Sequence, residues 1–195
     1  MHSNTPVRAT SRLIARLVMA LVIIPFTAHA DDFTLSLSDD SAKGQFRLNS
    51  AHEKLLFGAG YTVREGGRQI LNLDGYAQGR TAIGNLPMTV GLGLRTSYFH
   101  DSGINGGGFA PGGYVSANIP DIPGLSANGE LHFSPDILSF GDAESVRHFE
   151  TSLSYRVIRN AEVLAGFRYV SVDLDEGRSD FRIEKDLIVG LRLFF

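Results

Sequence analysis

Apolar and polar side chains alternate at every second position along much of this 195-residue chain. In the last ten residues, DLIVGLRLFF, every second residue counted back from the terminus is large and apolar. The segments 87–99, 124–134 and 161–172 likewise keep their charges on one face, as does 147–157 from His148 onward. A period of two is the signature of β-strands with two different faces, so the sequence predicts an all-β fold.

The alternating segments are bounded by clusters of Gly, Pro, Asn and Asp, as strands joined by turns are. Ten strands are predicted, near residues 33–38, 43–49, 54–64, 69–79, 87–99, 113–119, 124–134, 147–157, 161–172 and 185–195. Long, glycine-rich or charged connections follow the third, fifth, seventh and ninth strands, and shorter ones follow the second, fourth, sixth and eighth. This pattern favours an up-and-down antiparallel transmembrane β-barrel with long loops outside the cell and both termini in the periplasm. Eight strands are the alternative, if the first hairpin lies outside the wall.

The first thirty residues have the parts of a secretory signal peptide. Three arginines precede an apolar run over 17–26, and an A-x-A cleavage motif ends at Ala30. The apolar run is shorter than the roughly 20 residues that a membrane-spanning helix needs. We predict cleavage after Ala30, which leaves one barrel domain over residues 31–195 and export to the outer membrane of a Gram-negative bacterium.

Charge and cysteine content narrow the function. Removal of the three signal arginines from 18 basic residues leaves 15 against 21 acidic residues, a formal charge of −6. A mildly acidic chain without basic clusters is a poor partner for nucleic acid. The absence of cysteine excludes a thiol enzyme and a cysteine-ligated zinc. HEKLL over 52–56 lacks the second histidine of a zinc-protease motif, so no metal or other cofactor is predicted.

The glycine-rich segment GINGGGF over 103–109 is the next candidate motif. A phosphate-binding loop would follow a buried parallel strand and open a helix, and neither is predicted here. We therefore predict a mobile external loop at this place.

The apolar face meets either lipid or, in a soluble periplasmic β-barrel, a protein core. The opposite orientation would place arginines such as Arg95, Arg168 and Arg192 in lipid, at about 2 to 4 kcal/mol each near the bilayer centre. Aromatic residues at the ends of the apolar face also favour lipid, because membrane barrels carry aromatic girdles at the lipid–water interfaces. They are Tyr61, Tyr98, Phe133, Phe149 and Tyr169 at the predicted outer rim, and Phe33, Tyr155 and Phe195 at the periplasmic rim.

The charged face then lines the lumen, where six basic and five acidic residues are predicted to form a charge network. They are Arg47, Asp74, Arg80, Arg95, Glu130, Glu150, Arg156, Glu162, Arg168, Asp186 and Arg192. A barrel of about eight strands is filled by its own side chains, so ten strands predict a narrow and mostly plugged lumen. Since isolated buried charges are unfavourable, we interpret the network as paired charges that brace the wall. The alternative is a narrow minor pore lined by the same groups.

A stretch over 129–174, GELHFSPDILSFGDAESVRHFETSLSYRVIRNAEVLAGFRYVSVDL, resembles the YfaZ family of outer-membrane proteins. The pattern is a Gly-Glu strand running into aromatic-Ser-Pro-Asp, an acidic loop, and AGFRYV before the closing strand. His132 departs from it, since an aromatic residue such as Tyr is expected there. The resemblance extends from Gly129 to the end of the chain and is much weaker before Leu86. It implies a small outer-membrane barrel without defining its physiological task.

The C-terminal strand carries a second resemblance. Phe195, preceded by Leu193 and Leu191, is similar to the signal that outer-membrane barrels present to their assembly machinery. The expected partners are therefore the barrel-assembly machinery and periplasmic chaperones during biogenesis, and outer-membrane lipids and lipopolysaccharide afterwards. Acidic residues in the predicted external loops are a hypothetical site for divalent cations shared with lipopolysaccharide phosphates. They are Asp136, Asp142, Glu144, Asp173, Asp175, Glu176, Asp180 and Glu184.

One enzymatic alternative follows from His132, Ser134 and Glu144, which resemble the His-x-Ser and Glu arrangement of lipid A 3-O-deacylases. A serine activated by an oriented histidine is a nucleophile. However, strand parity predicts that His132 and Ser134 point into the lumen, away from a lipid substrate. Pro135 also makes Ser134 a natural strand end. We therefore predict a non-enzymatic barrel, with a structural role in the envelope or as a minor pore.

Overall fold

The computed structural model describes residues 31–50, 53–101, 104–174 and 181–195. These residues form eleven β-strands and one short 3-10 helix, and none of their helices is long and apolar enough to cross a membrane. The predicted signal peptide, residues 1–30, lies outside this part of the chain. The strands are β1 (Asp32–Leu37), β2 (Ser41–Asn49), β3 (Leu55–Arg64), β4 (Gln69–Ile83), β5 (Leu86–Asp101), β6 (Ile104–Asn118), β7 (Leu125–Ser134), β8 (Ser139–Gly141), β9 (Ala143–Ile158), β10 (Ala161–Leu174) and β11 (Phe181–Phe194), and the helix is Asp136–Leu138.

Ten of the strands form a closed antiparallel barrel. Consecutive strands pair along the chain, β7 pairs with β9, and β11 pairs with β1 to close the ring. The short β8 pairs with β6 beside β7 and β9. Closure gives each of the ten described strands of the ring a partner on both sides, which a lipid environment requires. The predicted ten-stranded barrel is confirmed, and the eight-stranded alternative is wrong because β1 and β2 lie in the wall.

The antiparallel order places residues 31 and 195 at the same end of the barrel, which we call the termini end. That end also carries the connections 50–54, 84–85, 119–124 and 159–160, and the opposite, distal end carries the others. The predicted contrast in connection length is smaller than expected, because β5 runs to Asp101 and β6 begins at Ile104. The assignment of the distal end to the cell exterior stays a prediction.

The prediction of a loop over 103–109 is wrong for the described residues, since Ile104–Phe109 lies within β6 and pairs with β5. Glycine permits close packing here. A Cβ on Gly107 would lie 2.2 Å from the backbone oxygen of Ser97 and 2.6 Å from the ring of Phe140. A run of glycines has no side-chain alternation, so the period-two signal that predicts strands is missing.

A two-residue turn, Gly84-Asn85, joins β4 to β5. Gly84 has a φ of +58°, as the first central residue of a type II′ hairpin turn requires. The turn places Ile83 opposite Leu86, and the same register places Asp74 opposite Arg95 in the middle of the barrel. The local chemistry of the turn therefore sets a long-range ion pair.

The two faces of the wall differ as predicted. Outward side chains are apolar and uncovered, with Leu92 76% and Leu187 78% exposed. Inward side chains include Arg95 and Arg168, which are 0% and 2% exposed. The apolar face therefore forms the outside of the barrel and the charged face lines the lumen.

Candidate functional site in the barrel lumen

An arginine held by two carboxylates occupies the middle of the lumen. Arg95 donates to Asp74 through Nε at 2.6 Å and through Nη2 at 3.0 Å. Its Nη1 forms an ion pair with Glu130 from β7. Gln45 donates a further hydrogen bond of 3.2 Å to Asp74. Paired and hydrogen-bonded in this way, the buried charges connect four strands across the lumen.

A second arginine cluster lies on the distal side of the first. Arg168 donates to Glu150 at 2.8 Å, to Glu184 at 3.1 Å and to Ser36 at 2.6 Å. Lys43 reaches the same Glu150 at 3.2 Å. Sequence reasoning missed Lys43 and placed Glu184 in an external loop. Glu184 instead lies in β11 with 1% of its surface exposed, so that prediction is wrong.

The remaining predicted charges lie nearer the two ends. Toward the termini end, Glu162 contacts Arg156 at 2.8 Å and Arg192 at 3.5 Å. Arg80 lies at the open rim of that end, 79% exposed, where it pairs with Glu53. At the distal end, Asp186 lies 3.3 Å from Arg64, which also contacts Asp40 at 2.5 Å. Ten of the eleven predicted network residues thus have an ion-pair partner.

Arg47 is the exception. No carboxylate oxygen of the described residues lies within 4.0 Å of its guanidinium. Its cross-strand neighbour Asp32 is 3.9 Å from Arg192 instead. Arg47 is only half-buried, so water can reach its guanidinium.

Two tyrosines lie across the lumen beside the charge clusters. The rings of Tyr76 and Tyr114 meet edge to face, with centroids 5.1 Å apart. They cover two inward glycines: a Cβ on Gly91 would lie 2.3 Å from the Tyr114 ring, and one on Gly93 would lie 2.8 Å from the Tyr76 ring. Sequence reasoning missed both tyrosines. An inward glycine opposite an aromatic residue was the available signal, because aromatic rings cover such gaps in sheets.

An apolar plug fills the distal end of the lumen. It consists of inward side chains that strand alternation had not identified: Ile70, Phe99, Ala143, Val146, Val170 and Val172. All six are buried, and Val172 is 0% exposed. Between this plug and the Arg168 cluster there is a cavity of only about 20 Å³, roughly enough for one water molecule.

The termini end is more open. A cavity of about 290 Å³ lies there, lined by Arg47, Gln78, Tyr114 and Ser116 among others. Its lining also includes the exposed Arg80 and Glu53, so it opens to the surface. We call this cavity the vestibule. A smaller cavity of about 60 Å³ shares Arg47, Tyr114 and Ser116 with it and extends to Glu130 and Glu150. Among the described residues, the lumen therefore has a wide cavity at the termini end and a narrow one beside the apolar plug.

The predicted girdle residues lie on the outer face. Tyr61, Tyr98, Phe133, Phe149 and Tyr155 are each 40% to 48% exposed, and Tyr169 is half-buried. Phe33 is covered by the ring of Phe46, 4.6 Å away.

In the proposed assembly signal, Phe195 is 65% and Leu191 42% exposed, and Leu193 is half-buried.

The residues of the enzymatic alternative have separate partners. His132 Nε2 lies 2.9 Å from the hydroxyl of Tyr76, and the hydroxyl of Ser134 lies 3.1 Å from that of Ser139. His132 and Ser134 are buried inside the barrel, whereas Glu144 is exposed. The three side chains therefore do not form a nucleophilic triad.

The predicted acidic loop site is dispersed. Besides Glu184, Asp173 belongs to a strand, where it accepts hydrogen bonds from Ser145 and Arg147. Asp175, Glu176 and Asp180 lie outside the described residues. Among the residues that are described, no group of three or more His, Cys, Asp or Glu has a geometry that could hold a metal ion.

Comparison with solved structures finds barrels of low sequence identity. The outer membrane channel DcaP of Acinetobacter baumannii is 10% identical, with a TM-score of 0.42 over 82% of this chain and 54% of that one. A bacterial polysaccharide outer membrane secretin is 15% identical, with a TM-score of 0.43 over 80% of this chain and 56% of that one. This chain thus spans little more than half the length of either protein. The KdgM porin, solved in complex with disordered oligogalacturonate, is 10% identical, with a TM-score of 0.46 over 84% of this chain and 98% of that one.

No curated protein matches the chain. A family model does, and it covers residues 11–195 under the description "YfaZ precursor". The match covers part of the predicted signal peptide and all ten strands of the barrel, and it includes the stretch 129–174 that carries the resemblance in the sequence. The chain therefore belongs to the YfaZ family.

Proposed function

We propose that this chain is an integral outer-membrane β-barrel whose lumen is closed by its own side chains, and that it has a structural, non-enzymatic role in the envelope. The observation that carries the proposal is the combination of an apolar outer wall with an ion-paired and plugged interior. A barrel built in this way stabilises itself inside a bilayer without offering a path through it.

The outer wall supports the membrane location. Leu92, Leu131, Leu153 and Leu187 come from four strands and are 55% to 78% exposed on the outside. A contiguous apolar surface of this kind is unfavourable in water but is solvated by lipid. A soluble periplasmic barrel would instead direct these side chains inward and its charges into water.

Three successive levels of the lumen support closure. Starting from the termini end, the vestibule leads to the ion pairs around Arg95, then to the Arg168 cluster, and finally to the apolar plug. Apolar constrictions resist ion passage because they exclude water. The observation that favours the rival function, a narrow minor pore, is the open vestibule at one end.

Planar-bilayer recording distinguishes the two functions. We expect no conductance steps from the wild-type barrel, after insertion has been verified by the compact migration of the unboiled protein in detergent gels. Truncation of the plug by Phe99→Ala and Val172→Ala together is expected to increase leakage. The matched outward pair Val90→Ala and Leu92→Ala leaves the lumen unchanged and is expected to stay silent. Reproducible steps from the wild-type protein would support the pore instead.

We also propose the partners of this chain. Lipid chains and lipopolysaccharide would contact the outward apolar side chains, and the barrel-assembly machinery with periplasmic chaperones would bind the chain before it folds. The exposed Phe195 and Leu191 at the end of the closing strand support recognition of this strand during assembly.

A further inference from the structure

Arg47 is the lumen arginine without a direct ion-pair partner among the described residues, since its cross-strand neighbour Asp32 lies closer to Arg192. The basic residues deeper in the barrel each contact at least one carboxylate: Arg95 contacts Asp74, Arg168 contacts Glu184, and Lys43 contacts Glu150. Arg47 has no such partner among the described residues. A charge inside a barrel is favourable only when an opposite charge or water compensates it. Arg47 lines the vestibule, where water or a ligand can contact its guanidinium directly.

The vestibule has the size and lining of a small-molecule site. Its volume of about 290 Å³ equals the space of about ten water molecules at about 30 Å³ each. Arg47, Tyr114 and Ser116 line both this cavity and the deeper one of about 60 Å³. Arg47 thus lies where the open recess meets the buried part of the lumen.

The polar groups around Arg47 are available mainly as acceptors. Tyr114 donates its hydroxyl hydrogen to Gln78 Oε1, and Ser116 donates to Asn128 Oδ1 at 2.8 Å. The Gln78 amide donates to Asn49 Oδ1 and to the backbone oxygen of Glu53. Each hydroxyl oxygen keeps a lone pair free. A ligand that fits this wall therefore brings its own hydroxyl donors.

We propose that the vestibule binds a small hydroxylated carboxylate. The ligand's carboxylate accepts hydrogen bonds from Arg47, and its hydroxyls donate to the hydroxyl oxygens of Tyr114 and Ser116. The guanidinium fork matches a carboxylate with two parallel hydrogen bonds. The lining as a whole is balanced, with Arg47 and Arg80 against Asp32 and Glu53, so the ligand is held by the Arg47 guanidinium and not by a net charge. The carboxylates of Asp32 and Glu53 in the same lining disfavour a dianion such as hydrogen phosphate.

The test uses gluconate, with uncharged glucose and inorganic phosphate as comparison probes. Binding to the full folded barrel in detergent is measured by isothermal titration calorimetry, so the result does not depend on membrane location or conductance. The variant is Arg47→Gln, and the control is Arg156→Gln, an arginine at the same end of the barrel that pairs with Glu162 and lies outside the cavity.

Saturable gluconate binding is expected for the wild-type and Arg156→Gln proteins. Loss of a charge-assisted hydrogen-bond pair predicts that Arg47→Gln binds gluconate at least about tenfold more weakly than the wild-type protein does. Glucose, which has no carboxylate, is expected to bind the wild-type protein with a similarly reduced affinity. The proposal is overturned by any of three results: no saturable gluconate binding, equal affinity in Arg47→Gln, or phosphate binding as tight as gluconate. If Arg47→Gln does not fold, Arg47→Lys keeps the charge without the fork, and unchanged affinity there overturns the proposal as well.

Discussion

Arg95 has no exposed surface and lies between Asp74 and Glu130. Replacement by methionine keeps the approximate length of the side chain but leaves two carboxylates buried together without a cation. Breaking a buried ion pair in this way costs about 3 to 5 kcal/mol. We therefore expect Arg95→Met to lower the free energy of unfolding by that amount, measured by urea titration of the barrel in lipid vesicles.

The matched control is Arg80→Met, since Arg80 also pairs with a carboxylate but is 79% exposed. Exposed ion pairs contribute about 0 to 1 kcal/mol. Equal losses of stability in the two variants would contradict the idea that the buried network holds the wall together.

Strand parity was enough to predict that Asp74, Arg95 and Glu130 point inward, because a strand alternates its faces strictly. Parity does not identify the partners. Lys43 and Glu150 are 107 residues apart, and only the closed ring brings them together. The apolar plug was missed for a related reason: Phe99 has the inward parity of Arg95, but parity does not show that inward apolar side chains of β4, β5, β9 and β10 meet in one cluster. The unpaired state of Arg47 likewise depends on the positions of all its neighbours.

At the level of elements, the pairing of β4 with β5 depends on Gly93. A Cβ at this position would lie 2.0 Å from the backbone oxygen of Gly75 and 2.7 Å from the Cα of Tyr76. Backbone atoms cannot move aside as a flexible side chain can. Gly93→Val is therefore expected to reduce the yield of folded barrel severely, as seen by the loss of the fast-migrating unboiled band.

Gly79 provides the control within the same hairpin. It lies on the outer face of β4, and a Cβ there would meet no atom within 4 Å. Gly79→Val adds apolar surface toward lipid and a β-branched residue to a strand, so folding is expected to be unchanged or improved. A comparable defect in both variants would show that glycine matters here for a reason other than close packing.

Most of the wall follows from periodicity because one face of the predicted strands is mainly apolar. The elements that sequence did not predict lack that signal. The first half of β6 is rich in glycine, and β8 has only three residues. β9 begins at Ala143, four residues before its predicted start, where the exposed Glu144 gives the segment the composition of a loop.

The described part of the molecule combines an apolar exterior with an interior whose cavities become smaller toward the distal end. Closure of the sheet satisfies the backbone, ion pairs brace the middle, and the plug seals one end. The vestibule, at about 290 Å³, is the largest of the three cavities described above. This distribution favours a structural wall with a recess for a solute at one end over a continuous pore.

The proposed membrane location requires lipid to be the solvent of the outer face. The chain contains no cysteine, so single spin labels can be attached without background changes. Labels at Leu92→Cys, Leu131→Cys and Leu187→Cys are compared with one at Ser116→Cys, which lines the vestibule. In lipid vesicles, we predict that the three outward labels are relaxed by oxygen and protected from a water-soluble nickel complex, and that the Ser116 label is reached by nickel. Equal access of nickel to the three outward labels would contradict the account.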